Sequence, residues 1–408
     1  MVPENWGLIS LDDISEKVMV GIASAATHAY SDSGIRMLRN LNIKEGWIDD
    51  SDILYVNQDY EKTYRNKRLK QGDILTVRTG YPGVSAVVPK EYEGAQCFTS
   101  LITRLDQHKA FPDFVCRYIN SEYGKKFISS GEAGGAQKNV NAGMLKRMVV
   151  PLPPLPEQKK IAQILSTWDQ AITATERLLE NSQQRKKGLM QQLLTGKKRL
   201  PGFEGEWEKV TLGSVFSRVT SRNEGQSTNV VTISGQQGLI RQQEFFKKSV
   251  ASETLDNYFL LKKGQFAYNK SYSNGYPMGA IKRLNRYDDG VVTTLYICFE
   301  LADEHAADSD FYEQYFESGL LNQGLMQVAH EGGRAHGLLN VKPSDFFSLT
   351  LHKPDIKEQK AIANVLCIAD IEIDAQKARL EQLRSEKRAL MQQLLTGKRL
   401  VNVETEAA

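Results

Sequence analysis

Apolar residues recur at alternating steps of four and three in two stretches of the chain, which begin at residues 161 and 362. This heptad pattern predicts two long helices that bury a common seam. If the globular segments before the helices extend to opposite sides, the helices lie antiparallel. The apolar seam positions that we expect to pack between the helices are Ile161, Leu165, Trp168, Ile172 and Leu179, and Ile362, Leu366, Ile373, Leu380 and Leu383.

The segments that precede the two helices carry short, β-branched apolar runs typical of strands. The strands predicted from these runs are residues 73–77, 84–88, 230–233, 279–282 and 291–299. Longer amphipathic stretches predict one helix over residues 112–129 and another over residues 311–325. The predicted fold class is therefore α+β, with two strand-rich domains joined by two long antiparallel helices.

The chain is an internal duplication. The octapeptide MQQLLTGK occurs at residues 190–197 and again at 391–398, and the same offset of 201 places EQK at 157–159 onto EQK at 358–360. Two copies of about 200 residues indicate a duplication with a pseudo-two-fold relation, because a solenoid needs shorter repeats and more of them. The predicted domains are residues 1–156, the helix 157–199, residues 200–357, the helix 358–400 and a tail 401–408.

Composition and charge narrow the class of protein. The chain has 408 residues, 41% apolar and 25% charged, as expected for a folded protein of two or more domains. The net charge of +3 excludes a uniformly basic protein that coats DNA. The two predicted helices together hold 17 Lys/Arg against 10 Asp/Glu, so the excess positive charge lies on them.

Cysteine, histidine and apolar patterns exclude other classes. The four cysteines form no C-x-x-C pair and the six histidines have no metal-ligand spacing, which argues against a disulfide scaffold or a zinc module. No apolar run approaches the roughly 18 residues of a membrane span, and the first residues do not resemble a signal peptide. We therefore expect no metal, no membrane association and a location in the cytoplasm.

Loops between the predicted strands interleave Arg and Lys with Tyr, Gly and small polar residues. Such loops suit nucleic acid, because cations bind phosphates, amides and guanidinium groups bind base edges, and glycine permits close approach. The alternative is that these are ordinary turns of a β-rich domain, whose glycines only shape the chain. The candidate DNA-binding residues are Lys67, Arg68, Lys70, Arg78, Thr79 and Tyr81, then Lys270, Tyr272, Ser273 and Asn274, and, in two glycine-rich loops, Gln137 and Lys138, and Arg334 and His336.

Several segments resemble the type I restriction-modification specificity subunits. They are PLPPLPEQKKIAQIL at residues 151–165, LMQQLLTGK at 189–197 with its repeat, QGDILTVRTGYPG at 71–83, FAYNKSYSNGYPMGAIKRL at 266–284 and GGRAHGLLNV at 332–341. The resemblance extends over essentially the whole chain, in the order domain, helix, domain, helix. One departure is PDI at 354–356, where the first copy has the proline-rich run.

The resemblance implies a subunit without chemistry of its own. Each domain would read one half of a bipartite, asymmetric site in double-stranded DNA. We expect Arg78, Thr79 and Tyr81 at one half-site, with Lys67, Arg68 and Lys70 on its phosphates. At the other half-site we expect Lys270, Tyr272, Ser273 and Asn274, assisted by Arg334. The helix pair would fix the gap between half-sites and dock two methyltransferase subunits, to which motor-nuclease subunits can be added. No cofactor is expected in this chain, since S-adenosylmethionine, ATP and Mg²⁺ would act in the partner subunits.

Enzymatic alternatives lack their motifs. There is no N/D-P-P-Y/F motif for adenine methylation and no G-x-x-x-x-G-K-[ST] phosphate loop. Glu157 and Lys159, or their repeats, could be taken for part of a nuclease site. Both pairs, however, lie at predicted helix starts, where the helix dipole stabilises a glutamate. Two non-catalytic alternatives stay open, a coiled-coil scaffold and the specificity subunit of a modification-only system.

Overall fold

The computed structural model describes residues 2–24, 26–130, 139–245, 254–329 and 339–403. The chain divides into two compact units, Met1–Glu176 with Arg379–Ala408, and Arg177–Ala378. Each unit contains one strand-rich domain, the first part of the long helix that follows it, and the last part of the other long helix. The two units are described separately below.

The first unit is built on two four-stranded sheets and two small strand pairs. Its strands β1 to β12 are Gly7–Ser10, Ser15–Val20, Tyr30–Ser31, Ile35–Leu38, Ile43–Lys44, Trp47–Ile48, Leu54–Val56, Ile74–Thr76, Ser85–Val87, Gln96–Cys97, Leu101–Leu105 and Val149–Leu152. One sheet has the order β2-β11-β8-β9 and is antiparallel throughout. The other has the order β10-β4-β7-β3, and β1 pairs with β12 beside the start of the long helix.

Helices cover the apolar face of this domain. They are α1 to α4, at Gln58–Lys62, Pro112–Asn120, Glu122–Ser130 and Ala142–Lys146. The main core joins Phe114 and Ile119 of α2 and Leu145 of α4 to residues of β11. Two residues of the first long helix, Ile161 and Leu165, are fully buried in the same core.

The second unit repeats the antiparallel sheet of the first. The first long helix, α5, is Leu155–Leu193, and the strands β13 to β22 that follow are Glu208–Thr211, Phe216–Val219, Val231–Ser234, Gly238–Arg241, Phe259–Lys262, Phe266–Asn269, Ala280–Arg283, Asp289–Val292, Ile297–Leu301 and Thr350–Lys353. The sheet order β14-β21-β18-β19 corresponds strand by strand to β2-β11-β8-β9. The pair β13-β22 corresponds in the same way to β1-β12.

An aromatic core fills the second domain. Its helices α6 to α10 are Leu212–Val215, Gln242–Phe245, Ser309–Glu317, Asn322–Val328 and Pro343–Phe347, and the second long helix, α11, is Ile356–Leu394. Phe216 of β14 packs edge-on against Phe266, Phe299 and Tyr312, with ring centroids 5.0–5.8 Å apart. Ile362 and Leu366 of α11 are buried in the same core.

The long helices run antiparallel in the first unit. Lys387 of α11 forms an ion pair with Asp169 of α5. Arg384, one turn earlier on α11, pairs at 2.8 Å with Glu176, two turns later on α5. Contacts that move forward along one helix and backward along the other require opposite directions.

The second unit shows the same arrangement with different residues. The Lys186 ammonium of α5 lies 2.6 Å from Asp370 of α11. One turn earlier on α5, the Ser182 hydroxyl donates at 3.1 Å to Glu372, which lies later on α11. The predicted α+β class with two long antiparallel helices is confirmed.

Burial follows the predicted seam with differences along its length. Ile161, Leu165, Ile362 and Leu366 are at most 1% exposed, and each belongs to a domain core as well as to its helix. Trp168, Ile172 and Leu179 on α5 are only half-buried. The buried seam positions in the middle of α11 are Ile373, Leu380 and Leu383.

Three of the predicted elements are each two elements in the structure. The predicted helix 112–129 is wrong because Ser121 adopts an extended conformation between α2 and α3, and its hydroxyl donates to the carbonyl of Tyr118 at 2.6 Å. The predicted helix 311–325 is interrupted at Gly319, which has a φ of +75°. The predicted strand 291–299 turns at residues 293–296 and contributes β20 and β21 to different sheets.

Candidate nucleic-acid interface

A hairpin occupies the same place in the main sheet of each unit. In the first it is β8-β9, whose loop is residues 77–84, and in the second it is β18-β19, whose loop is residues 270–279. Both loops carry predicted DNA-binding residues. The duplication therefore brings two sets of candidates, far apart in sequence, to equivalent positions.

The first loop holds its three candidates at different depths. Arg78 is half-buried, its Nε has no hydrogen-bond partner among the described residues, and its carbonyl accepts a hydrogen bond of 3.0 Å from the amide of Val140. The Asn40 amide group lies 3.3 Å from the Thr79 hydroxyl. Tyr81 is 75% exposed at the tip of the loop.

Contacts behind the first loop fix its path. The Asn120 side chain, 4% exposed, donates to the carbonyl of Ser85 at 2.8 Å and accepts from the amide of Ser85 at 2.9 Å. Gly83 has a φ of +91°, and a Cβ there would lie 2.6 Å from the Ile128 side chain. A side chain at position 83 would therefore displace the loop from α3.

The three basic candidates before this hairpin have different surroundings. Arg68 donates two hydrogen bonds of 2.6 and 2.7 Å to Glu61, which is 1% exposed. These hydrogen bonds above all hold the pKa of the Glu61 carboxyl below its usual value. The Lys67 ammonium donates to the carbonyl of Gly21 at 2.8 Å. Lys70 is exposed and has no ion pair within the described ranges.

The second loop repeats the main-chain hydrogen bond between a basic residue and a segment distant in sequence. The carbonyl of Lys270 accepts a hydrogen bond of 2.9 Å from the amide of Leu339, as Arg78 does from Val140. Lys270 is half-buried, and this burial lowers the pKa of its ammonium group. Its Nζ lies 3.4 Å from the carbonyl of Val341.

The tip of the second loop is a tight turn. The amide of Tyr276 donates to the carbonyl of Ser273 at 2.9 Å, and the reverse hydrogen bond is 3.3 Å long. Asn274 is exposed in the middle of this turn, next to Gly275, whose φ is +84°. Tyr272 is 65% exposed.

Four candidates cannot be placed. Gln137, Lys138, Arg334 and His336 lie outside the described residues. The amides of Val140 and Leu339, which bond the two loops, follow directly on these two segments in the chain.

Repeated side chains fix each domain to its long helix, a role that the sequence pattern did not reveal. The Trp6 indole donates to Glu157 at 3.1 Å, and its repeat Trp207 donates to Glu358 at 3.0 Å. Gln158 donates to the carbonyl of Pro153 at 2.8 Å and accepts from the amide of Phe111 at 2.7 Å. Its repeat Gln359 makes the same two contacts in the second unit.

One difference separates the two copies at this junction. Arg199 donates two hydrogen bonds of 2.5 and 2.6 Å to Glu358, which is 1% exposed. In the first copy the equivalent position is Leu400, and Glu157 instead accepts a hydrogen bond of 2.8 Å from Asn5. The difference between Arg199 and Leu400 is visible in the sequence repeat, but only the fold shows that Arg199 contacts Glu358.

Comparisons with known proteins agree with this duplicated architecture. Residues 3–181 match the family model described as "Type I restriction modification DNA specificity domain". The MjaVIII type I restriction enzyme specificity subunit of Methanocaldococcus jannaschii is 26% identical over 338 residues, which cover 74% of this chain and 73% of that protein. The chain is therefore similar to type I restriction-modification specificity subunits.

Solved structures share the fold of this chain. The crystal structure of the HsdS subunit from Thermoanaerobacter tengcongensis is similar over 98% of both chains, with a TM-score of 0.54 and 15% identity. The S subunit of a type I system from M. genitalium is similar over 96% of both chains, with a TM-score of 0.57 and 13% identity. Sequences that have diverged this far keep the arrangement of elements.

The described parts of the chain contain neither a metal centre nor a membrane helix. No group of three or more His, Cys, Asp or Glu side chains in these parts is placed to hold a metal ion. No helix there is both long and apolar enough to cross a bilayer. The four cysteines are free thiols, and burial raises the pKa of Cys97, Cys116 and Cys298 to about 12.

Proposed function

We propose that this chain is the DNA specificity subunit of a type I restriction-modification system and reads a bipartite, asymmetric DNA site, with one hairpin loop at each half-site. The observation that carries the proposal is the equivalence of the β8-β9 and β18-β19 hairpins in two units that share a sheet order. Each loop has, at its first or second residue, a cation whose carbonyl accepts a hydrogen bond from a segment distant in sequence. The scaffolds match while the loop sequences differ, as expected if each loop reads different bases.

The loops offer suitable chemistry for both kinds of DNA contact. Arg78 carries a fork of donors that matches a guanine edge; it is half-buried, and its Nε is buried without a hydrogen-bond partner among the described residues. Tyr81 and Tyr272 present large exposed surfaces at the tips of their loops. Thr79, Ser273 and Asn274 add small polar groups beside them. Of these residues, Thr79, Tyr81, Tyr272 and Asn274 are exposed and available to a ligand.

We assign the phosphate contacts from the ion pairs and hydrogen bonds that each cation already makes within the protein. The charge of Arg68 is balanced by Glu61, and the ammonium of Lys67 is bonded to a carbonyl. We therefore propose Lys70 as the main phosphate contact of this group, with a smaller contribution from Lys67. Gln137, Lys138, Arg334 and His336 remain proposed contacts on the basis of the sequence.

The helix pair and the partners complete the proposal. The two long helices, 39 residues each, set the gap between half-sites and dock two methyltransferase subunits, to which motor-nuclease subunits can be added. This chain is non-catalytic, and S-adenosylmethionine, ATP and Mg²⁺ act in the partners. Its free cysteines suit the reducing cytoplasm.

Paired substitutions test whether the two loops read separate half-sites. The complex of the unmodified chain with its methyltransferase subunit is first used to select DNA. Binding of the Arg78→Ala and Lys270→Ala complexes to that DNA is then measured. Each variant should lose about 1–3 kcal/mol of discrimination at one or two base pairs in one half-site, with the other half-site unchanged. A scaffold without DNA-reading loops would show no change in either.

The control is Lys109→Ala. Lys109 is an exposed cation that follows the far end of β11, whereas the hairpin loop lies beside the start of that strand. Its replacement should leave both half-sites intact. Equal effects of all three variants would contradict the proposed interface.

A further inference from the structure

Three polar side chains cluster behind the second hairpin loop without contributing to its exposed tip. They are Tyr276 at the end of the turn, Lys282 on β19 and Glu317 at the end of α8. Lys282 is 8% exposed and Tyr276 is half-buried. A buried cation, a carboxylate and a phenol that satisfy one another require explanation, because burying a charge is costly.

The three groups form a closed network. The Lys282 ammonium donates to Glu317 at 2.7 Å and to the Tyr276 hydroxyl at 2.9 Å, and it also lies 4.7 Å from the centre of the Tyr276 ring. The Tyr276 hydroxyl in turn contacts the Glu317 carboxylate and lies 2.7 Å from the carbonyl of Gly235. The positive charge of Lys282 is therefore paired with the Glu317 carboxylate inside the domain.

Tyr276 connects this network to the turn. Its amide and carbonyl both bond to Ser273, and its carbonyl also accepts from the amide of Gly279 at 3.2 Å. The ring packs so closely on Gly235 that a Cβ there would lie 2.6 Å from it. Burial, together with the adjacent carboxylate, raises the pKa of Tyr276, so the hydroxyl stays protonated.

We propose that Tyr276 is a positioning residue for the second half-site, and that Lys282 and Glu317 hold it so that Tyr272, Ser273 and Asn274 meet the DNA in one conformation. This inference rests on the proposed function. Tyr276 itself touches no base in this account. It lowers the cost of ordering the turn when DNA binds.

The first unit positions its loop by other means. There Asn120 bonds to the main chain of Ser85, and Asn40 bonds to Thr79. The phenol network belongs to the second domain, so its loss should affect one half-site alone.

Single-hydroxyl variants test the inference. The complex of the full chain with its methyltransferase subunit is assayed against the DNA that it selects, with each base pair of both half-sites changed in turn. Tyr276→Phe keeps the ring and removes the hydroxyl. Loss of this hydroxyl should weaken binding to the selected site by about tenfold, as expected for the loss of a hydrogen bond to a charged group. It should also reduce the preference for particular bases, and do so in the second half-site only. Glu317→Gln should flatten the same half-site.

The matched control is Tyr312→Phe. Tyr312 is buried in the same unit, and its hydroxyl has no hydrogen-bond partner among the described residues, so removing it should leave both preferences unchanged. Unchanged preference in Tyr276→Phe, or equal losses in both half-sites, would overturn the positioning role. If the unmodified chain itself showed no two-part preference, the proposed function would fail instead.

Discussion

Replacing Arg199 by leucine should destabilise the second unit, because it converts the second junction to the residue found in the first. Glu358 is 1% exposed and accepts two hydrogen bonds from Arg199 and one from Trp207. Without the guanidinium, the indole of Trp207 is the one side chain among the described residues that still donates to this carboxylate. At the equivalent junction Glu157 is more exposed and is hydrogen-bonded by Asn5, so that copy needs no arginine.

The size of the effect follows from burial. Removing one partner of a buried ion pair costs about 3–5 kcal/mol. The Arg199 side chain is 24% exposed, so water can partly replace it, and we expect a loss of about 3 kcal/mol in the free energy of unfolding. At about 2–4 °C per kcal/mol for a unit of this size, the unfolding midpoint should fall by about 6–12 °C.

Calorimetry of the full chain measures this loss as a shift of one of its transitions. The double variant Arg199→Leu with Glu358→Gln should recover most of it, since no buried charge is left unpaired. Leu400→Ala, at the equivalent exposed position, should change the midpoint little. A shift below about 1 °C for Arg199→Leu, or a double variant as unstable as the single one, would refute this reasoning.

Three further predictions concern binding, acid stability and the helix pair. Lys70→Gln should weaken binding to all DNA sequences alike and reduce the slope of log affinity against log salt by about 0.9; a change in base preference would contradict a phosphate contact. The pKa of Glu61 lies below its ordinary value of 4.5, so its pairing with Arg68 stabilises the fold above about pH 4.5 and is lost as the pH falls through the lowered pKa. Glu61→Gln should therefore lower the free energy of unfolding at pH 7, as measured in urea. The difference in this free energy between the variant and the unmodified chain should shrink below pH 4.5, and a difference that stays constant would contradict the ion pair. Deleting opposed heptads from α5 and α11 removes about 10 Å of helix and should shorten the preferred gap by about three base pairs, whereas an unchanged gap would contradict the spacer role.

The features predicted correctly from sequence are those that depend on local periodicity or on repetition. The heptad pattern predicted both long helices correctly. A helix that buries one face must have apolar residues at regular steps of three and four, and this spacing is visible in the sequence itself. The repeated octapeptide identified the duplication, which the structure shows as matching sheet orders.

The features that were missed depend on contacts between distant residues. Arg68 belongs to a basic run, and only the fold shows that buried Glu61 uses its charge. Ser121 lies within an amphipathic pattern that continues through it, although the serine ends one helix and begins the next. The network around Tyr276 joins a turn, a strand and a helix, so no local pattern could reveal it.

Selection from a random duplex library tests the central claim most directly. The full chain is purified with its methyltransferase subunit, the bound DNA is recovered, and the enriched sequences are determined. We expect an asymmetric motif in two blocks separated by a gap of fixed length. Absence of enrichment with the partner bound and active, or a single continuous block, would contradict a protein that reads DNA through two separate loops.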